Sequence, residues 1–233
     1  MHKRGLSHIE FVVSFVIFIG FLVFAFIFFN PLQSQRTLKS TMDYAWIEVS
    51  EEGREDMESY SVSIAPLNPL DLKINIGGVP LGYNASVEDL NGNILATHRD
   101  SSGTVYFTRN SAGDNFFKIR YSSAFDDTGP AIPGATDLTG NYAISSSELK
   151  EIYFEKLFLE LNQSYYSDYV ALKQNLNLPS RVEFGFIVTL DNYRITAMNN
   201  IPDGIEILSK NDRVEIIRQN GQHEFAEVTV LVW

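Results

Sequence analysis

Hydrophobic residues are unevenly spread along this chain. A block from Phe11 to Phe29 is apolar except at Ser14 and Gly20, and no charged residue interrupts it. At ~1.5 Å rise per residue the block forms a helix about 28 Å long, so a transmembrane helix is expected over residues 6–30. A cleaved secretory signal would have a shorter apolar core followed by a small-residue cleavage site, and Phe28-Phe29-Asn30-Pro31 offers none. His2, Lys3 and Arg4 stand immediately before the block, while Arg36 and Lys39 follow only after a polar spacer. That asymmetry predicts a cytoplasmic N-terminus with the bulk of the chain extracytoplasmic.

Beyond the block the pattern changes twice. Asn30-Pro31 predicts a break or kink, and Leu32, Leu38, Met42 and Ala45 fall loosely on one face of a juxtamembrane helix, which with its linker occupies residues 31–58. From Tyr60 the period becomes two. Tyr60 to Ile64, Leu70 to Ile76, Ala85 to Leu90, Ile94 to His98, Val105 to Thr108 and Phe116 to Tyr121 read as strands, with Asn91-Gly92 as a hairpin turn. The stretch Asp126 to Gly140, rich in glycine and proline, marks a boundary between a β-rich subdomain over 59–140 and an α+β subdomain over 141–233.

In the second subdomain Phe154, Leu157, Phe158 and Leu161 recur at helical spacing, so Glu148 to Leu161 reads as helix, although Ile152 and Phe154 also alternate as a strand would. Ser164 to Leu176 reads as a second helix, with Pro179 as a stop signal. Strands are expected at Val182 to Leu190, Tyr193 to Ala197, Arg213 to Arg218 and Glu224 to Trp233, the last two joined through Gln219-Asn220-Gly221-Gln222. Val228, Val230 and Val232 alternate with Thr229, Leu231 and Trp233, which predicts a central, buried strand. The expected fold class is α+β: an N-terminal transmembrane helix, then a mostly antiparallel β-rich extracytoplasmic head with one or two helices in its C-terminal half.

Composition narrows the chemistry. The formal net charge of −11 argues against a nucleic-acid partner, because phosphate binding rewards clustered Lys and Arg. The absence of cysteine removes disulfides, thiolate metal sites and thiol nucleophiles. His98 and His223 are the only histidines beyond the leader region, and the chain has no H-E-x-x-H, no G-x-S-x-G and no phosphate-binding glycine loop. The reading is therefore not an enzyme, with no catalytic, cofactor-binding or metal residues assigned. Asp89, Asn91, Asn93 and Asp100 match calcium-loop positions in spacing, but Ile94 stands where that loop requires glycine, and a hairpin turn explains the segment more simply. Asn84-Ala85-Ser86 and Asn162-Gln163-Ser164 are glycosylation sequons. Tyr165, Tyr166 and Tyr169 suit either core packing or an exposed binding surface.

One residue does not fit a plain anchor. Glu10 sits at the entrance of the apolar block, where a carboxylate drawn toward a bilayer centre costs about 2.5–3.5 kcal/mol unless it finds a partner or water. Lys3-Arg4-Gly5, followed by Leu6-Ser7-His8-Ile9-Glu10 and then the apolar block, resembles the class III signal peptide of type IV pilins and archaeal pilin-like proteins. The resemblance covers residues 1 to about 30. It implies cleavage by a prepilin peptidase after Gly5, a 1–5 leader, a mature chain beginning at Leu6 and a glutamate fifth in it, which is Glu10. It also implies pairing of that carboxylate with the α-amino group of a neighbouring subunit inside an apolar helical bundle.

The expected function is thus a structural pilin or pilin-like subunit of an archaeal type IV filament, assembled through its apolar N-terminal helix. Its expected partners are the membrane, a prepilin peptidase, other pilin-like subunits and the pilus assembly machinery. The expected place is the cell membrane or an extracellular filament. The alternative is a membrane-anchored binding or adhesion module that does not polymerise.

Overall fold

The computed structural model describes the backbone of residues 4–233 and the side chains of residues 10–26 and 38–233. The elements in chain order are α1 (Arg4–Glu52), β1 (Arg54–Ile64), β2 (Asp71–Ile74), β3 (Asn84–Asp89), β4 (Ile94–Leu95), β5 (Thr97–Arg99), β6 (Val105–Thr108), β7 (Phe116–Ser122), β8 (Thr136–Asp137), β9 (Tyr142–Phe154), α2 (Glu155–Ser167), α3 (Tyr169–Asn175), β10 (Phe184–Thr189), β11 (Arg194–Ala197), β12 (Leu208–Ile217) and β13 (His223–Val232). They build a nine-stranded sheet in the order β11-β10-β13-β12-β9-β1-β7-β3-β4 and a four-stranded sheet in the order β5-β6-β2-β8. Pairing is antiparallel except at β12 with β9 and β2 with β8, so the sheets are mixed.

The expected fold class needs correction at its first element. Among the described residues no helix is long and apolar enough to cross a membrane. Of the break or kink expected at Asn30-Pro31, the break does not occur, since α1 continues through it to Glu52. A proline removes one backbone donor from a helix, and here that loss does not end the element.

The C-terminal half of α1 is held by packing. Met42, Ala45, Trp46 and Val49 recur at helical spacing and are all buried against Val228, Val230 and Val232 of β13, Phe184 and Phe186 of β10, and Phe158, Leu161 and Tyr165 of α2. Each large apolar side chain buried in this way stabilises the fold by roughly 1.5–3 kcal/mol. Gly53 then turns the chain directly into β1, and a Cβ there would lie 2.4 Å from the Phe158 ring. Only glycine allows that ring to close over the junction. The strand expected from Tyr60 therefore starts earlier, at Arg54, where a linker was expected.

A second core lies between the two sheets, built from Val62, Ile64, Leu72, Ile74, Val87, Val105, Phe107, Phe117 and Ile119. The nine-stranded sheet takes strands from both sides of the Asp126 to Gly140 loop, and β8 forms within that loop. β9 departs from the helical reading of Glu148 onward: residues through Phe154 are strand, paired with β1 from Glu148 to Tyr153, and the helix begins only at Glu155. Long-range ladder bonds to β1 outweigh the local helical spacing here. The helix expected over Ser164 to Leu176 is divided at Asp168, whose side chain accepts from the Ala171 N–H and caps α3.

Candidate functional site

Two features of the molecule lack a purely structural account: the bare half of α1 and a charge network under the tip of the β12–β13 hairpin. On α1, residues from Glu10 to Phe26 are exposed with the single exception of Ala25. Phe11, Phe15, Ile17, Phe18, Phe21, Val23 and Phe26 each leave half or more of their surface uncovered, with Phe11 at 71% and Phe26 at 73%. Folded monomers rarely present a continuous apolar surface of this extent, and a helix that is apolar all round normally has neighbours all round. Glu10 is exposed at the head of this stretch. Of the processing residues expected from the sequence, Lys3 lies outside the described residues. Arg4, Gly5 and Leu6 lie in the first turn of α1 with side chains outside the described ones.

The charge network was not visible in the sequence because its members come from five strands. Arg120 of β7 is fully buried and its Nη2 donates to Glu88 Oε2 of β3 at 2.7 Å. Its Nη1 meets His223 Nε2 of β13, and His223 Nδ1 lies 3.0 Å from Glu215 Oε1 of β12. Lys150 of β9 closes the chain, its Nζ donating to Glu215 Oε2 at 2.8 Å. Because guanidinium only donates, His223 Nε2 must accept, which leaves the proton on Nδ1 to be given to Glu215. The imidazole is thereby held neutral. Burial, and then the nearby Arg120 charge, push its pKa below the ordinary value. The Lys150 hydrogen bond to Glu215, followed by that from His223, holds the Glu215 carboxyl below its usual range. Burial lowers the Arg120 pKa as well, and among the described residues its Nε finds no acceptor.

The geometry exists because the hairpin tip folds back onto β3 and β4. Gly221 has φ of +85°, and a Cβ there would meet Ser86 Oγ at 2.4 Å, so the turn needs glycine for conformation and for space alike. His98 has an acidic partner too, with Nδ1 3.1 Å from Asp127 Oδ2. Of three surface cavities of about 400, 330 and 540 Å³, the first is lined in part by Glu88 of the network and by Asp89, and neither histidine lines any of the three.

The remaining sequence candidates are engaged locally. Asp89 accepts from the Asn91 and Asn93 amides, the Asn93 side chain and Asn110, so N–H donors surround its carboxylate. These bonds close the β3–β4 hairpin, and among the described residues no group of three or more His, Asp or Glu is placed to hold a metal ion. Asn84 donates its side-chain amide to the Phe125 carbonyl at 2.8 Å, and Asn162 donates to the Thr196 carbonyl at 3.3 Å. Ser86, the third residue of the first sequon, is buried beneath Gly221. Tyr165 is buried, donating to the Phe184 carbonyl at 2.7 Å, and burial pushes its pKa up to about 12. Tyr169 stacks on Phe184, while Tyr166 stays exposed.

No protein-family model, no curated protein and no solved structure matches this chain.

Proposed function

We propose that this chain is a pilin-like subunit of an archaeal type IV filament, trimmed after Gly5 by a prepilin peptidase and assembled through the N-terminal half of α1. The observation that carries the reading is the uncovered apolar surface from Phe11 to Phe26 on a helix whose other half is anchored in the β-rich head. Identical helices from neighbouring copies would cover that surface, each buried Phe, Val or Ile contributing roughly 1.5–3 kcal/mol. Glu10 sits where the new α-amino group of a neighbour could pair with it inside the bundle. The head then lies outside the bundle, and its acidity keeps neighbouring heads apart and hydrated.

Mass spectrometry of the mature N-terminus tests the trimming: a chain beginning at Leu6 is expected, and one retaining Met1 overturns it. Electron microscopy of a Glu10→Ala strain tests the pairing, with loss of filaments as the expected outcome. Normal filaments in that strain would remove the role assigned to the carboxylate.

A further inference from the structure

The long strand β9 has one satisfied edge and one open edge. It pairs with β1 from Tyr142 to Tyr153, but β12 meets it only at Tyr153 and Phe154. One bond sets the direction of the backbone groups: Phe154 N donates to Gly53 O at 3.0 Å. In the antiparallel register Ile152, Lys150 and Glu148 therefore face Glu55, Met57 and Ser59 with their N–H and C=O groups. Ser147, Leu149 and Glu151 turn theirs the other way, toward solvent. Residues 143–151 are all exposed, Leu149 at 65%. An edge of this kind is a template for another strand unless something covers it.

We infer that the Ser147–Glu151 edge of β9 pairs antiparallel with the same edge of a second copy, about a two-fold axis through Leu149. In that register Ser147 opposes Glu151 of the second copy, and Leu149 opposes its own counterpart, exchanging N–H and C=O groups. Glu148 then lies directly across from Lys150 of the second copy, and Lys150 from its Glu148. These fall in the non-hydrogen-bonded pairs, whose Cα atoms approach to ~4.5 Å and whose side chains lie closest. Opposite charges so placed favour the pairing and like charges oppose it. A parallel in-register arrangement would set Glu148 against Glu148 and Lys150 against Lys150, so charge selects the antiparallel one. Lys150 already donates to Glu215, but its side chain is 48% exposed and an ammonium has further donors to give. The two leucines cover each other on the opposite face. The contact is isologous, so it closes at two copies instead of propagating.

This pairing does not rest on the helix assembly proposed above, and its test is run where α1 is covered by detergent. The chain has no cysteine, so Leu149→Cys places a single thiol on the axis. In detergent-solubilised full-length protein, a short bismaleimide should crosslink Leu149→Cys to a dimer at least about fivefold faster than Leu90→Cys. Leu90 is 80% exposed but lies in the turn after β3, away from the β9 edge. Equal rates at the two positions overturn the pairing. E148K and K150E each place like charges across the axis and should weaken dimerisation by about tenfold in sedimentation velocity. Mixing the two variants makes both cross-strand pairs opposite in charge again, and dimers should return. A mixture as dissociated as its components overturns the inference, and Glu10→Ala should leave all these results unchanged.

Discussion

The two halves of α1 belong to one uninterrupted helix yet live in different surroundings. Between Met42 and Val49 the apolar residues recur every three or four positions, and that stripe is buried on β13, β10 and α2. Asp43, Ile47 and Glu48 occupy the other faces. Between Phe11 and Phe26 there is no polar face to turn outward, and the head supplies nothing to cover the apolar one. A stripe can be satisfied from within one chain, whereas an all-round apolar surface needs neighbours on every side. The contrast separates residues that hold the head together from residues that the head leaves uncovered.

Substitutions can break this contrast in both directions. The largest effect is expected from Ile17→Asp, which buries a charge in any bundle formed by the bare half: filaments seen by electron microscopy should be lost, while the thermal melt of the head stays unchanged. Phe158→Ala should do the reverse. It empties the pocket beneath Gly53, and chemical denaturation should show the head destabilised by about 3–5 kcal/mol. Gly53→Ala forces a methyl group into the same ring and should cost about 1–3 kcal/mol in the same measurement. Ile47→Ser, on the outward side of the anchored half, should change stability by no more than about 0.5 kcal/mol.

Acidity sharpens the contrast further, because the titrating network lies wholly in the head. The His223 pKa is lowered on folding, so the unfolded chain binds the extra proton more readily. That stability is fully present above the unfolded value of 6.5 and is lost as pH falls through the folded pKa. Asp89, Asp100, Asp137 and Glu215 are also lowered, but from ordinary carboxyl values, so their contribution is lost at more acid pH. Denaturation midpoints should therefore decline in two stages, and His223→Gln should remove the one that begins near neutrality. A single decline in the parent protein, unaltered by the substitution, would contradict the neutral imidazole assigned here.

Much of the head was legible from local pattern. The Asn91-Gly92 turn does join β3 to β4, and Gln219 to Gln222 does join β12 to β13. β13 is flanked by β10 and β12 with its valines fully buried, as the absence of a polar face indicated. Misreadings fall where local and distant preferences compete. Residues 148–154 carry helical spacing, but β1 offers them a full ladder of hydrogen bonds, and the strand wins. Pro31 punctuates the sequence without ending α1.

By itself the sequence determined where apolar residues concentrate, which turns can reverse the chain, and that no thiol chemistry is available. All of these follow from side-chain identity and short-range geometry. Only the tertiary structure decided that β12 runs parallel to β9, that the hairpin tip lands on Ser86, and that Arg120, Glu88, His223, Glu215 and Lys150 share one hydrogen-bonded chain. Those residues are separated by more than half the chain at the extremes, from Glu88 to His223, and nothing in local periodicity reports which distant strands will lie side by side. Their meeting is set by the strand order of the nine-stranded sheet and by where the hairpin tip lands, properties of the whole packing and of no single segment.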